Sequence, residues 1–219
     1  MSIESTIQSY FGNVEGDEHH RYRSWDHCYR FFQQVTPLGL AKNRDDAAMK
    51  LGFYLASWGM YRGGSFLLER AYTVHLAAID CLADPRWSAL WSGEIGANDI
   101  GEDTFSDVVE LRKCIGAAYA PFGVPTDTLA TKIMLGTLGC SPACDRYFIV
   151  GFTGEGHPFS CFNRLFVRRV VGFCSDNLAA LRRAQARIEL RVGCRYPLMK
   201  LVDMYFFQKG WEFSDRRKN

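Results

Sequence analysis

With 219 residues, 47% of them hydrophobic and 14% aromatic, the chain has enough apolar material for a substantial core and no need of more than one domain. Its apolar runs fall short of the roughly 20 residues a membrane helix requires, and the opening MSIESTIQSYFGN lacks the basic start and apolar middle of a signal peptide. A cytoplasmic protein with no membrane partner is expected, and its formal net charge is only +2.

Residues 1–24 hold few apolar positions and the polar run Glu15–His20, which predicts a short, partly ordered helix and then a loop. Trp25, Cys28, Tyr29, Phe32 and Val35 recur at helical spacing and stop before Pro37. Asn43 caps the next helix, whose stripe is Ala47, Ala48, Leu51, Tyr54, Leu55 and Trp58. It runs into GMYRGGS, residues 59–65, where glycines interrupt a regular helix and let backbone approach a ligand or another segment closely. Phe66 to Leu82 predicts a further helix, ended by Asp84–Pro85, with His75 on its apolar stripe. Residues 86–103 read as a turn of helix around Trp87 and Trp91 followed by an acidic loop. Thr104-x-x-Asp107 then reads as a capping box opening a helix that lasts to Pro121.

The stretch from Thr126 to Phe148 predicts helix, tight turn, helix. Thr126 and Asp127 are N-cap types, Leu129, Ile133, Met134 and Leu138 keep helical spacing, and Gly139 suits a left-handed helix end. Ser141 as cap and Pro142 at the first helical position would start the second arm, with Asp145 in or just after its first turn. After a glycine-rich connection at 151–158, Phe162–Phe173 and Leu178–Val192 read as basic helices and Pro197–Phe207 as a very apolar one. Strict strand alternation is not sustained anywhere. The expected fold is all-α: eight or nine helices in a single domain over 1–219, either one body or two helical lobes around the central 126–148 hairpin.

The eight cysteines include no CxxC pair and read as buried thiols in a reducing compartment. His19, His20, His27 and Cys28 match no usual zinc spacing, so neither a metal nor another cofactor is expected. Charge is unevenly spread. Asp84 to Glu110 holds seven acids against Arg86 alone, whereas Ser160 to Lys200 holds nine bases, Arg168, Arg169, Arg182 and Arg183 among them, against two acids. Such an arginine-rich stretch reads either as a phosphate-binding face or as solvated helix surface.

At Leu135–Ala143, LGTLGCSPA resembles the hairpin L-P-G-V-G-x-K-T-A of the helix-hairpin-helix DNA glycosylase superfamily, with Leu135, Leu138, Gly139 and Ala143 aligned. Thr137 departs from the first glycine, and Ser141 stands at the position of that family's Schiff-base lysine. A second alignment matches divergent glycosylase-like proteins, which carry a helical lysine followed by a P-x-D or P-x-x-D element. Lys132 and Pro142-Ala-Cys-Asp145 look like that pair at a shorter gap, and LASWGM at 55–60 is similar to the family's early helix. The resemblance covers the hairpin alone. It implies DNA as partner and Lys132 and Asp145 as catalytic residues. Gly139, Ser141 and Ala143 would then hold phosphate together with Arg62, Arg168, Arg169, Arg182 and Arg183, and Trp58, Met60 or Tyr61 would wedge or stack where a base leaves the duplex.

The chemistry is coherent without the family. Cleaving an N-glycosidic bond builds positive charge on the sugar, which a carboxylate opposes, and an amine can attack the sugar carbon. Two other readings compete. Arg70–His75 has the R-x4-H spacing of the all-α HEPN ribonucleases, and Arg21–His27 is one residue longer; there an arginine stabilises phosphate and a histidine moves a proton. The other is a helical nucleic-acid-binding or interaction protein without catalysis.

Overall fold

The computed structural model describes residues 2–92, 94–97 and 101–216. Among them the chain forms ten α-helices and two short 3-10 segments, with no strand, so the all-α expectation holds. The helices are α1 (Ile3–Glu15), α2 (Arg23–Leu40), α3 (Arg44–Ser57), α4 (Leu76–Leu82), α5 (Glu102–Tyr119), α6 (Asp127–Thr137), α7 (Arg146–Gly154), α8 (Arg164–Asp176), α9 (Leu178–Val192) and α10 (Leu198–Arg216). The 3-10 segments, Tyr72–His75 and Pro85–Ser92, flank α4. Among the described residues no helix is long and apolar enough to cross a membrane.

Several boundaries differ from expectation. α1 is fully docked, because Ile7, Tyr10, Phe11 and Val14 fall at i, i+3, i+4 and i+7 and all bury on one side. The backbone of α2 continues through Pro37 to Leu40. α5 begins at Glu102 with Gly101 as its N-cap, which leaves Thr104 and Asp107 inside the helix rather than at its mouth. Residues 66–71 are irregular, the 3-10 turn taking over at Tyr72. Asn98–Ile100 of the expected acidic loop lie outside the described residues. Cys81 and Cys114 are joined by a disulfide that ties α4 to α5, and Cys161 is exposed, so the cysteines are not uniformly buried thiols.

Two helices organise the rest. Every residue of α6 from Leu129 to Thr137 is buried, Lys132 included, with α2, α3 and α5 packed around it. A helix enclosed on all sides is ordinarily apolar throughout, so its one cation stands out. α10 is the second centre, packing on α1, α7, α8 and α9. It meets α7 where Gly151 and Gly210 face one another, each leaving no room for a side chain against the other helix's backbone. That close crossing fixes α7 and hence the residue at its start.

Candidate active site

Lys132 reaches out of α6 to Asp145, its ammonium donating to Oδ2 at 2.9 Å. The two side chains are 5% and 16% exposed, so the pair is shielded but open on one side. Asp145 is the N-cap of α7, its Oδ1 accepting the Phe148 N–H at 3.0 Å. Each carboxylate oxygen therefore has one fixed partner.

The linker that delivers Asp145 is extended, not helical: α7 begins at Arg146, and Ser141 is not its cap. The linker starts at Gly139, whose φ of +67° is left-handed and whose N–H donates to the Met134 carbonyl at 2.9 Å, ending α6 as a Schellman-type turn. Three ties hold it afterwards. The Ala143 N–H donates to Asp203 Oδ1 at 3.0 Å, the Cys144 N–H to Thr131 Oγ1 at 2.8 Å, and the Thr128 hydroxyl to the Cys144 carbonyl at 2.8 Å.

Lys132 and Asp145 lie at the bottom of a cleft of about 440 Å³, within the size range of ligand sites. Trp58 lines it beside them, the Lys132 ammonium lying 4.7 Å from its ring centroid and Tyr22 stacked on the same indole at 4.9 Å. Thr128, Met60, Tyr147 and Phe207 form the walls, and the exposed Arg21, Arg62 and Arg146 stand at the opening. Four cations face one carboxylate, which suits an anionic ligand with apolar, planar parts.

A second ion pair lies behind the first. Lys200 donates to Asp203 Oδ2 at 3.2 Å, the two residues being 3% and 5% exposed. The Lys200 ammonium also sits 5.0 Å from the Tyr10 and Trp25 rings. Burial holds the Lys200 ammonium below the usual lysine range and the Asp203 carboxyl above the usual carboxylate range, and each partner's charge opposes the other's shift.

The expected residues thus divide. Lys132, Asp145, Trp58, Met60 and Arg62 share the cleft. Tyr61 does not wedge into it, since its hydroxyl bonds His75 Nε2. Gly139, Ser141 and Ala143 offer no phosphate seat: a side chain at Gly139 would strike Pro197 and Tyr29, Ser141 and Ala143 are each 2% exposed, and the Ala143 N–H is taken by Asp203. Ser141 donates to the neighbouring Pro142 carbonyl and takes no part in the cleft. Most arginines of the basic stretch have partners within the fold. Arg182 and Arg195 pair with Glu94, Arg183 with Glu4 and Arg191 with Glu15, while Arg169 donates to the Pro158 carbonyl and Arg168 lies over Phe105. His75 is wholly enclosed, its ring nitrogens bonded to Tyr61 and Tyr119, while Arg70 is exposed over Phe122. The hairpin thiols are inert by burial, Cys140 being pushed up to about 12.

Sequence patterns give Thr128, Arg146, Tyr147 and Phe207 no site role, and mark Arg21 only for its spacing to His27. Arg146 carried a signal, as a cation directly after an N-cap; the others reach the cleft only through tertiary packing. No protein-family model matches the chain, nor does any curated protein or solved structure.

Proposed function

We propose that the cleft performs base excision, cleaving the N-glycosidic bond of a nucleotide in DNA. One observation carries the reading: a buried lysine and a carboxylate in direct contact at the bottom of an otherwise cationic, aromatic-lined cleft. Asp145 opposes the charge that builds on the sugar as the bond to the base lengthens. The Lys132 amine, once its ammonium has passed a proton to water, forms the new bond to C1′; the N-glycosidic bond breaks, and its electron pair leaves with the base, which takes up a proton from water. The adduct then opens to a Schiff base as the nitrogen lone pair forms C1′=N and the C1′–O4′ bond breaks, O4′ taking up a proton. In this role Lys132 corresponds to the lysine of the second hairpin alignment and Asp145 to the aspartate of its P-x-x-D element.

The test is incubation with duplexes carrying uracil, hypoxanthine, 8-oxoguanine or an abasic site, with and without borohydride. Base release and a trapped covalent adduct are expected on at least one duplex, the adduct vanishing in K132Q and turnover falling about 100-fold or more in D145N. Absence of release and adduct on all of them overturns the reading.

A non-catalytic nucleic-acid-binding module is the second reading, favoured by the N-cap that Asp145 supplies to α7, a structural duty sufficient to retain an aspartate. It predicts DNA binding by the unaltered protein and by D145N alike, with no turnover in either.

A further inference from the structure

Three arginines at the cleft mouth have no part in the chemistry above, and they differ from those of α9 in their surroundings. Arg182, Arg183 and Arg191 each pair with a glutamate within 4 Å, whereas no described carboxylate pairs with Arg21, Arg62 or Arg146. Each guanidinium is also placed by its surroundings, and Arg146 stands where local stability alone gives little reason for a cation. Arg146 is the first residue of α7, the helix end at which the macrodipole opposes positive charge. Arg62 folds back across Gly59, where φ is +73° and an added Cβ would stand 2.9 Å from its Nε, so the glycine makes space for the guanidinium. Arg21 lies over Tyr22 and Trp58, 5.5 and 5.6 Å from their centroids.

These residues come from three separate segments: the connection before α2, the loop after α3, and the start of α7. They are exposed, while Lys132 beneath them is 4% exposed, so the site is anion-seeking at its rim and reactive at its depth. A free mononucleotide carries its phosphates at one end. A strand carries them on both sides of each sugar, which is what cations placed around an opening would meet.

We propose that Arg21, Arg62 and Arg146 clamp the backbone phosphates of a DNA strand on either side of the nucleotide that enters the cleft. The phosphate grip then lies at the cleft mouth, not in the hairpin turn or on α8 and α9. This rests on the reading that the cleft takes a nucleotide, but not on its chemistry.

The test uses a labelled duplex with one tetrahydrofuran abasic analogue, which has no base to release, titrated by fluorescence anisotropy across a KCl series. Each of R21A, R62A and R146A is expected to reduce the slope of log affinity against log salt by about 1, whereas R183A leaves it unchanged. Unaltered slopes in the rim variants, an equal loss in R183A, or binding of a free nucleotide or an RNA strand without binding of the duplex would each overturn the clamp. Salt-sensitive rim binding without base release on the substrate duplexes leaves the clamp standing and removes the excision reading. Base release that is insensitive to the rim variants does the reverse.

Discussion

Asp203 and Ala143 lie 60 positions apart in the chain, yet the buried carboxylate of the first accepts the N–H of the second at 3.0 Å. The next hydrogen bond along, from the Asp145 N–H to the Ala143 carbonyl at 2.8 Å, brings the chain to the N-cap of α7. A single acid on α10 therefore ties the inner ion pair to the strand of backbone that presents the outer one.

Removing that acid has two costs. D203A leaves the Ala143 N–H without its acceptor and Lys200 without its counterion, and is expected to lower stability by about 3–5 kcal/mol in urea unfolding. D203N keeps an acceptor for Ala143 and is expected to cost distinctly less. If D203A falls within about 1 kcal/mol of the unaltered protein, the linker is held by Thr128 and Thr131 instead.

The outer pair predicts a different pattern. D145A deprives α7 of its cap, worth about 1 kcal/mol, and strands a buried ammonium, for a combined loss of about 3–5 kcal/mol. K132M together with D145N restores an apolar α6 while retaining a capping side chain. The double variant should be more stable than D145A and close to the unaltered protein. Equal instability of D145A and the double variant would show that the charge pair is not what Asp145 stabilises.

How much of this was legible beforehand follows from distance along the chain. Lys132 and Asp145 are 13 positions apart on either side of a glycine turn, so local pattern alone brought them together. The turn itself departs from its local pattern: Ser141-Pro142 resembles a helix start, whereas Asp203 and Thr131 capture the backbone N–H groups of 143 and 144 respectively and hold the segment extended until Asp145 caps α7. Arg21 and Phe207 reach the same cleft from opposite ends of the sequence, and nothing local places them together. The charge of α9 misled for the same reason. Its acids are Glu4, Glu15 and Glu94, remote in sequence and adjacent in space.

Glycines supply a paired prediction about packing. A Cβ at Gly210 would fall inside contact distance of the Tyr147 carbonyl, and one at Gly151 inside that of Phe206, so G210A and G151A must separate α7 from α10. Each is expected to cost about 1–3 kcal/mol or more and to loosen the seat of Asp145. Gly172, inside α8, has nothing within 4 Å of its virtual Cβ. G172A should therefore raise stability by about 0.5–1 kcal/mol. Thermal unfolding of the three variants checks both signs, and a neutral G210A would contradict the close crossing.

His75 sets an acid limit on the fold. It is 0% exposed, and burial pulls its imidazole down from 6.5 to about 4. One ring nitrogen must accept from a tyrosine hydroxyl, because Tyr61 and Tyr119 bond the two nitrogens and a neutral ring carries a single proton. Since the folded value lies below the unfolded one, the unfolded chain binds the proton first as pH falls. The contribution is thus complete above about pH 6.5 and is lost progressively toward pH 4, amounting to about 3 kcal/mol. H75Q, which keeps a donor and an acceptor but does not titrate, should show a smaller loss of urea stability between pH 7 and pH 4.5 than the unaltered protein. An identical loss in the two proteins would assign the acid sensitivity to other groups.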